Sequence, residues 1–137
     1  RKYVTRLAVV RLHQSGFRKR VLTAYRNQCS ICHLKHTELL DAAHIISDKA
    51  ENGDPVVPNG LSLCKIHHAA FDTNILGVTP DYKIEIREDV LEEVDGPMLR
   101  YGLQATHGSK LIVPTRDAEK PDPERLEKRY EEFLAAS

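Results

Sequence analysis

Apolar residues recur with helical spacing near the start of the chain. Residues 3–14 carry one such set, and the following segment FRKRVLTAYR carries a second; the two sets are Val4, Leu7, Val10 and Leu12, then Phe17, Val21, Leu22 and Tyr25. This periodicity predicts two N-terminal helices. We expect a break between them near Ser15 and Gly16, because glycine weakens a helix interior.

The centre of the chain has a different pattern. The apolar run ELLDAAHII ends in β-branched residues and predicts a strand, and SDKAENGDPVVPNG is rich in turn-forming residues and predicts a loop. From Cys64 to about Thr73 the chain lacks Gly and Pro and can form a short helix. The segment ILGVTPDYKIEIRE then predicts a hairpin around Pro80 and Asp81.

The last third is interrupted by Gly and Pro, and a short strand at KLIVP is the best prediction for its middle. Asp122 followed by Pro123 is the typical start of a helix, as N-cap and first helical residue. An apolar stripe follows at Leu126, Tyr130, Phe133 and Leu134. We therefore expect a C-terminal helix that packs through this stripe.

Length and composition indicate one ordinary globular domain. The chain has 137 residues, of which 41% are hydrophobic and 29% charged, and no apolar run approaches the roughly 20 residues needed to span a bilayer. No membrane role is indicated. The chain begins RKYVTR, with neither Met nor a signal peptide, so we expect it to be the C-terminal part of a longer protein with a further N-terminal domain.

The zero net charge hides an uneven distribution. Residues 1–38 hold nine Lys or Arg against one acid, whereas residues 81–137 hold nine against fourteen. The first third is basic enough to lie against nucleic acid. On charge alone, a solvated helix face balanced by the acidic tail is an equal alternative.

The cysteines indicate a metal site. Three cysteines are an odd count that argues against a disulfide framework and for a reducing compartment, which we take to be the cytoplasm. Cys29 and Cys32 have CxxC spacing, and Cys64 and His67 have CxxH spacing, so together they supply four ligands for a structural Zn²⁺. His33 and His36 are weaker competitors as ligands, and buried unliganded cysteines are the simpler alternative.

If His67 binds zinc, its neighbour His68 is left for another role. On a helix His68 and Asp72 share one face, and an imidazole with a carboxylate forms half of a site for a divalent ion. The predicted strand offers Asp41 as a further ligand and His44 as a proton acceptor. The alternative for His44 is a histidine buried in the core. The alternative for Asn59 is a residue that only forms a turn.

Taken together, the motifs DAAHII, PNGLSLC and HHAAFD resemble the HNH endonuclease family, in its restriction-type branch with the pattern AAHI, NGL, H and FD. The similarity covers residues 14–86, including the lead-in FRKRVLTAYRNQCSIC. It implies an α+β fold with a ββα-metal core and a zinc knuckle, flanked by N-terminal helices and a C-terminal helix.

The resemblance also implies roles for single residues. His44 would be the general base, Asn59 would hold the loop and the base in register, and His68 would bind the catalytic ion, which is Mg²⁺, Mn²⁺ or another transition metal. Many family members have Asp or His directly before the base, whereas this chain has Ala43. The ligand role then passes to Asp41 or to Asp72.

The leading hypothesis is a metal-dependent endonuclease that cleaves double-stranded DNA, as the cleavage domain of a bacterial or phage restriction enzyme, with a modification-dependent enzyme as one variant of this hypothesis. The domain would comprise a basic helical lead-in, the zinc knuckle with the ββα core, and an accessory region, at residues 1–28, 29–86 and 87–137. A homodimer is expected, because one active site cuts one strand. A non-catalytic, zinc-stabilised DNA-binding module is the alternative, and RNA or a DNA junction is an alternative substrate.

Overall fold

The computed structural model describes residues 2–136, except for the side chains of Lys2, Tyr3, Val10 and His13. One continuous helix, α1 (Lys2–Ala24), replaces the two predicted helices. The cost of one glycine inside a helix is only about 1 kcal/mol, and the buried Phe17, Val21 and Leu22 follow directly after Gly16. Their packing therefore carries the helix through the expected break. The predicted stripe further upstream is exposed, at 67% for Val4 and 71% for Leu12, and the side chain of Val10 lies outside the described residues.

An antiparallel hairpin and a helix form the centre of the molecule. Strand β1 (Leu40–His44) pairs with β2 (Gly60–Cys64) in a register that sets His44 opposite Gly60 and Leu40 opposite Cys64. Helix α2 (Lys65–Asp72) follows β2 without a loop. The Cys64 side chain caps α2 by accepting a hydrogen bond from the His67 N–H.

The predicted second hairpin is present, and it packs against α2. It consists of β3 (Leu76–Val78) and β4 (Ile84–Ile86), and the four-residue helix α3 (Glu88–Leu91) and a π-helical turn at Met98–Leu103 follow it. Short 3₁₀ turns occur at Thr37–Leu39, Val57–Asn59, Gln104–Thr106 and Asp117–Glu119.

The predicted strand KLIVP is wrong. Only Lys110 forms a bridge, to Lys83. The next two residues donate hydrogen bonds to different parts of the fold, Leu111 to the Tyr82 carbonyl and Ile112 to the Ser30 carbonyl. The segment therefore joins the second hairpin to the cysteine knuckle, and no single neighbouring strand is available for a ladder.

The C-terminal helix α4 (Pro123–Ala135) begins as predicted, with the Asp122 side chain accepting from the Glu124 N–H. Leu126 and Phe133 are buried, and Gly77 of β3 leaves the space that the Phe133 ring occupies. The start of α4 is tied to the loop before β2, because the Asp122 N–H donates to the Pro58 carbonyl.

One core joins α1, both hairpins, α2 and α4. The ββα unit, flanked by an N-terminal and a C-terminal helix, confirms the predicted α+β fold class, with one N-terminal helix in place of several. Within the described part of the chain, no helix combines the length and apolar character needed to cross a membrane.

Candidate metal centre and active site

Four predicted metal ligands converge between the knuckle and α2. Cys29 and Cys32 lie in the turn after α1, Cys64 ends β2, and His67 lies in the first turn of α2. The knuckle reaches β2 because Ser30 donates to the Ser62 carbonyl through both its N–H and its hydroxyl, while the Ser62 hydroxyl donates to Gln28. These buried bonds fix the first ligand pair beside the second.

The dimensions of this cluster fit a tetrahedral Zn²⁺. Zn–S bonds of about 2.3 Å and Zn–N bonds of about 2.0 Å require ligand atoms roughly 3.5–3.8 Å apart. His67 Nδ1 lies 3.6 Å from Cys29 Sγ and 3.3 Å from Cys64 Sγ, and the Cys32 and Cys64 sulfurs are 3.9 Å apart. All four ligand atoms lie within 4.8 Å of one another. The cluster can therefore hold a metal ion such as zinc.

The surroundings orient these ligands. His67 Nε2 lies 2.6 Å from the Gly102 carbonyl, and since a carbonyl can only accept, the proton is on Nε2 and Nδ1 is left to bind metal. Backbone N–H groups of Ile31 and His67 donate to the sulfurs of Cys29 and Cys64. The π-helical turn thus contributes to a site formed otherwise by residues 29–67.

The thiols and the imidazole also shift one another's pKa. The hydrogen bond with Cys32 lowers the pKa of Cys29, and the bond with Cys29 lowers that of Cys64 and raises that of Cys32. Burial opposes protonation of His67, but its contacts with Cys29 and Cys64 outweigh burial and raise its pKa to about 10. The thiolate character thus favoured at Cys29 and Cys64 is what a metal cation requires. His33 and His36 are exposed and lie outside the cluster.

His68, next to the predicted metal ligand His67, faces two carboxylates. Its Nδ1 lies 2.8 Å from Asp41 Oδ2, and its Nε2 lies 3.2 Å from Asp72 Oδ2. Lys65, at the start of α2, donates to the other oxygen of Asp41. Burial opposes ionisation of Asp41, but the bonds from His68 and Lys65 outweigh it and lower its pKa.

These contacts separate the roles of the two acids. The ring nitrogens of an imidazole point to opposite sides, so one ion bound to His68 can be shared with Asp41 or with Asp72, but not with both. Indeed, the Cys29–Cys32–Cys64–His67 cluster is the only group of three or more His, Cys, Asp or Glu within 4.8 Å among the described residues. The predicted set of Asp41, His68 and Asp72 does not meet at one point. Asp41 is positioned to orient His68, and Nε2 remains available beside Asp72.

His44 lines the same cleft as His68 and Asp72. The cleft has a volume of about 380 Å³ and lies between the end of β1, α2 and α4. The His44 ring stacks on Phe17 of α1 with centroids 4.3 Å apart, and its Nε2 is a buried atom with no hydrogen-bond partner among the described residues. Burial lowers the pKa of His44, an effect that Asp48 opposes and His68 reinforces. The ring is thus held neutral in a form that can accept a proton.

Phe17 reaches this position because Gly60, opposite His44 in the hairpin, lacks a side chain. A Cβ at Gly60 would lie 2.5 Å from Val21 Cγ2 and 3.0 Å from Phe17 Cζ. Helix α1 therefore packs directly on the hairpin backbone beneath His44.

Asn59 holds the loop between β1 and β2. It is fully buried, and its Oδ1 accepts from the Ile46 N–H at 2.9 Å, while its Nδ2 donates to the carbonyls of Ile46 at 3.0 Å and Asp54 at 3.1 Å. Its own carbonyl accepts from the Ile45 N–H. These bonds fix the two residues that follow His44, and the fully buried Asn59 side chain is closed to solvent.

Residues 29–79 match the family model described as HNH endonuclease. This segment contains the Cys29–Cys32–Cys64–His67 cluster and also His68 with its two carboxylates. This segment is similar to HNH endonucleases. A solved structure described as a modification-dependent TagI restriction endonuclease matches with a TM-score of 0.57 and 19% identity, over 85% of this chain and 37% of that chain. This chain thus spans little more than a third of that protein's length, and at this identity the likeness shows the fold alone. No curated protein matches the sequence.

The fold likeness extends beyond the HNH segment, since 85% of the chain is more than residues 29–79 contain. Three contributors to the sites lie in those flanks and were missed by sequence reasoning: Phe17, Gly102 and Arg129. Gly102 acts through its carbonyl, for which no sequence signal exists. In the sequence, Phe17 has the pattern of a core position of an amphipathic helix, and Arg129 has that of a surface position. Lys65, inside the HNH segment, was missed as well, although its place directly after Cys64 was visible.

Proposed function

We propose that this HNH domain is a metal-dependent endonuclease that hydrolyses phosphodiester bonds of double-stranded DNA. The observation that supports it best is the convergence of His44, His68 and Asp72 on one cleft. The match of residues 29–79 to the HNH endonuclease family supports a nuclease in general. The metal dependence and the substrate are part of the proposal.

The donor set in the cleft suits a divalent ion such as Mg²⁺ or Mn²⁺, or another transition metal. His68 Nε2 and Asp72 would bind it, and Asp41 with Lys65 would hold His68 in the required orientation. When bound there, such an ion would supply positive charge that stabilises a phosphate undergoing attack and the departing 3′ oxygen. Ala43 offers no ligand, and its full burial in the core turns that position away from the cleft.

His44 acts as the general base. It accepts a proton from a water molecule, whose oxygen then attacks the phosphorus as the bond to the 3′ oxygen breaks. The stacking on Phe17 and the Asn59 bonds keep the His44 ring in place, and burial keeps it neutral. Asn59 contributes through this positioning. A structural Zn²⁺ at Cys29, Cys32, Cys64 and His67 would fix the start of α2, and with it the direction of His68.

The wider biological role is also part of the proposal. We infer a cleavage domain of a modification-dependent restriction enzyme, since the protein of similar fold is described in those terms. A further N-terminal domain would recognise the DNA, two copies would cut both strands, and the three parts 1–28, 29–86 and 87–137 would act as one domain. The free thiols suit a reducing compartment such as the cytoplasm.

The test is plasmid cleavage by His44→Ala. Nicking of supercoiled DNA in Mg²⁺ or Mn²⁺ should be abolished, while zinc content and thermal unfolding stay unchanged. His36→Ala is the matched control, because the His36 side chain is exposed and pairs with the equally exposed Glu38. The non-catalytic DNA-binding alternative predicts that neither variant alters nicking, because none would occur.

A further inference from the structure

Helix α4 brings one positive charge into the cleft. The cleft is lined by His44, His68 and Asp72 on one side and by Arg129 and Glu132 of α4 on the other. Arg129 is the only Lys or Arg among its described lining residues. Three acids, Asp48, Asp72 and Glu132, line the same cleft, so a DNA phosphate entering it needs positive charge that the remaining side chains do not supply.

The guanidinium of Arg129 is held in place. Its Nη1 donates to the Asn74 side chain and its Nη2 to the Phe71 carbonyl, at the C-terminal end of α2. It also lies 4.6 Å above the Phe71 ring, and its side chain is only 11% exposed. The conformation is therefore fixed before any ligand binds, which reduces the entropy lost on binding.

The Arg129 guanidinium keeps N–H donors that are available to a ligand. A guanidinium has five N–H donors, and two of them account for the bonds to Asn74 and Phe71. The ion pair with Glu132 is 3.4 Å long, and the Glu132 side chain is 68% exposed, so solvent screens it. Arg129 keeps its charge, because arginine stays protonated in proteins.

We propose that Arg129 binds a phosphate of the DNA in the cleft, opposite His68 and Asp72. The inference rests on the proposed function and extends it to a residue 50 positions beyond the end of the family segment. The planar fork of a guanidinium matches two oxygens of one phosphate, and the position beside Asp72 sets that phosphate next to the residues proposed to hold the ion. Helix α4 is then part of the active site.

The experiment compares Arg129→Gln, Arg129→Lys and the control Arg125→Gln. Arg125 lies one turn earlier on α4 and is likewise engaged within the fold, donating to the Asn52 carbonyl and pairing with Asp122, but it does not line the cleft. Single-turnover cleavage of plasmid is measured for each zinc-loaded variant. Affinity for a duplex oligonucleotide is measured across a salt series in a His44→Ala background, where no cutting competes.

We expect Arg129→Gln to lower the cleavage rate about 100-fold, the loss typical of removing one preorganised donor. The slope of log affinity against log salt should fall by about 1, as for the loss of one phosphate contact. Arg129→Lys should keep the slope and recover part of the rate, because it keeps the charge and loses the fork. Arg125→Gln should stay within about threefold.

Cleavage and salt slope of Arg129→Gln equal to those of Arg125→Gln would overturn the inference. If Arg129→Gln unfolds, the cleavage rate of Arg129→Lys tests the inference instead. A purely structural role for Arg129 predicts a lower melting temperature for Arg129→Lys with no change in the cleavage rate per folded molecule. Absence of cleavage by the unaltered protein would instead refute the proposed function. The salt slope would then still decide whether Arg129 contacts phosphate.

Discussion

The substitution Asn59→Ala tests whether the central asparagine acts by holding the backbone. Truncation removes three hydrogen bonds, two of which satisfy the buried N–H and carbonyl of Ile46. Each buried backbone group left without a partner costs about 1–3 kcal/mol. Water entering the vacated space recovers part of this, so we expect a loss of about 3 kcal/mol in the free energy of unfolding.

That loss is large, but it is smaller than the expected free energy of unfolding of the whole domain. Domains of this kind have unfolding free energies of about 5–15 kcal/mol, so the variant should still fold at room temperature. Urea denaturation of the zinc-loaded protein, followed by circular dichroism, should show a lower midpoint with an unchanged m-value. Val56→Ala, a truncation at a half-exposed position of the same loop, should change the free energy by less than about 0.5 kcal/mol.

Cleavage by folded Asn59→Ala should also fall, because the residues directly after His44 lose their anchor. A variant as stable as the unaltered protein would refute the hydrogen-bond argument. A variant that is both fully stable and inactive would show that Asn59 acts on the substrate itself, contrary to its burial.

The remaining predictions concern the histidines and the metals. His67→Ala should lower zinc content and thermal stability, whereas His68→Ala should keep both and lose cleavage; the opposite pattern in metal analysis and melting would contradict the division of roles. Burial lowers the pKa of His44, so cleavage should persist as pH falls from 7 and decline only below the usual histidine value of about 6.5. Phe17→Leu, which loosens the packing on that ring, should move the decline in the pH–rate profile to higher pH, and an unmoved profile would show that the stacking is irrelevant to the base. A mild chelator should stop cleavage reversibly while zinc is retained, whereas extraction of zinc should also reduce the helical circular dichroism signal. If cleavage and zinc were always lost together, two separate metal sites would be contradicted.

Sequence reasoning worked where the determining interactions are local. The Cys29 to Cys32 and Cys64 to His67 spacings are set within single turns, so the four-ligand cluster could be predicted from the chain alone. The start of α4 at Asp122 and Pro123 is equally local. So is the direction of His68 toward Asp72, which follows from helix geometry.

It failed where distant packing decides. Gly16 is a local helix breaker, but the burial of Phe17 and Val21 against the hairpin outweighs its cost. KLIVP has the composition of a strand, yet it finds two different hydrogen-bond partners far away in sequence. Asp41 was predicted as a metal ligand, and only the fold shows that it meets His68 on the edge away from Asp72.

The Asn59 bonds have a consequence for how this domain could diversify. They close the loop of residues 47–58 at its neck, where Ile45 and Ile46 meet Asn59, so the backbone directly after the base is held independently of the outer part of the loop beyond Ala50. Lengthening the loop near the exposed Glu51 would add closure entropy of only about 0.6 kcal/mol per doubling of its length. New DNA contacts could therefore be grafted onto this loop, and the range of substrates changed, without re-evolving the cleavage chemistry.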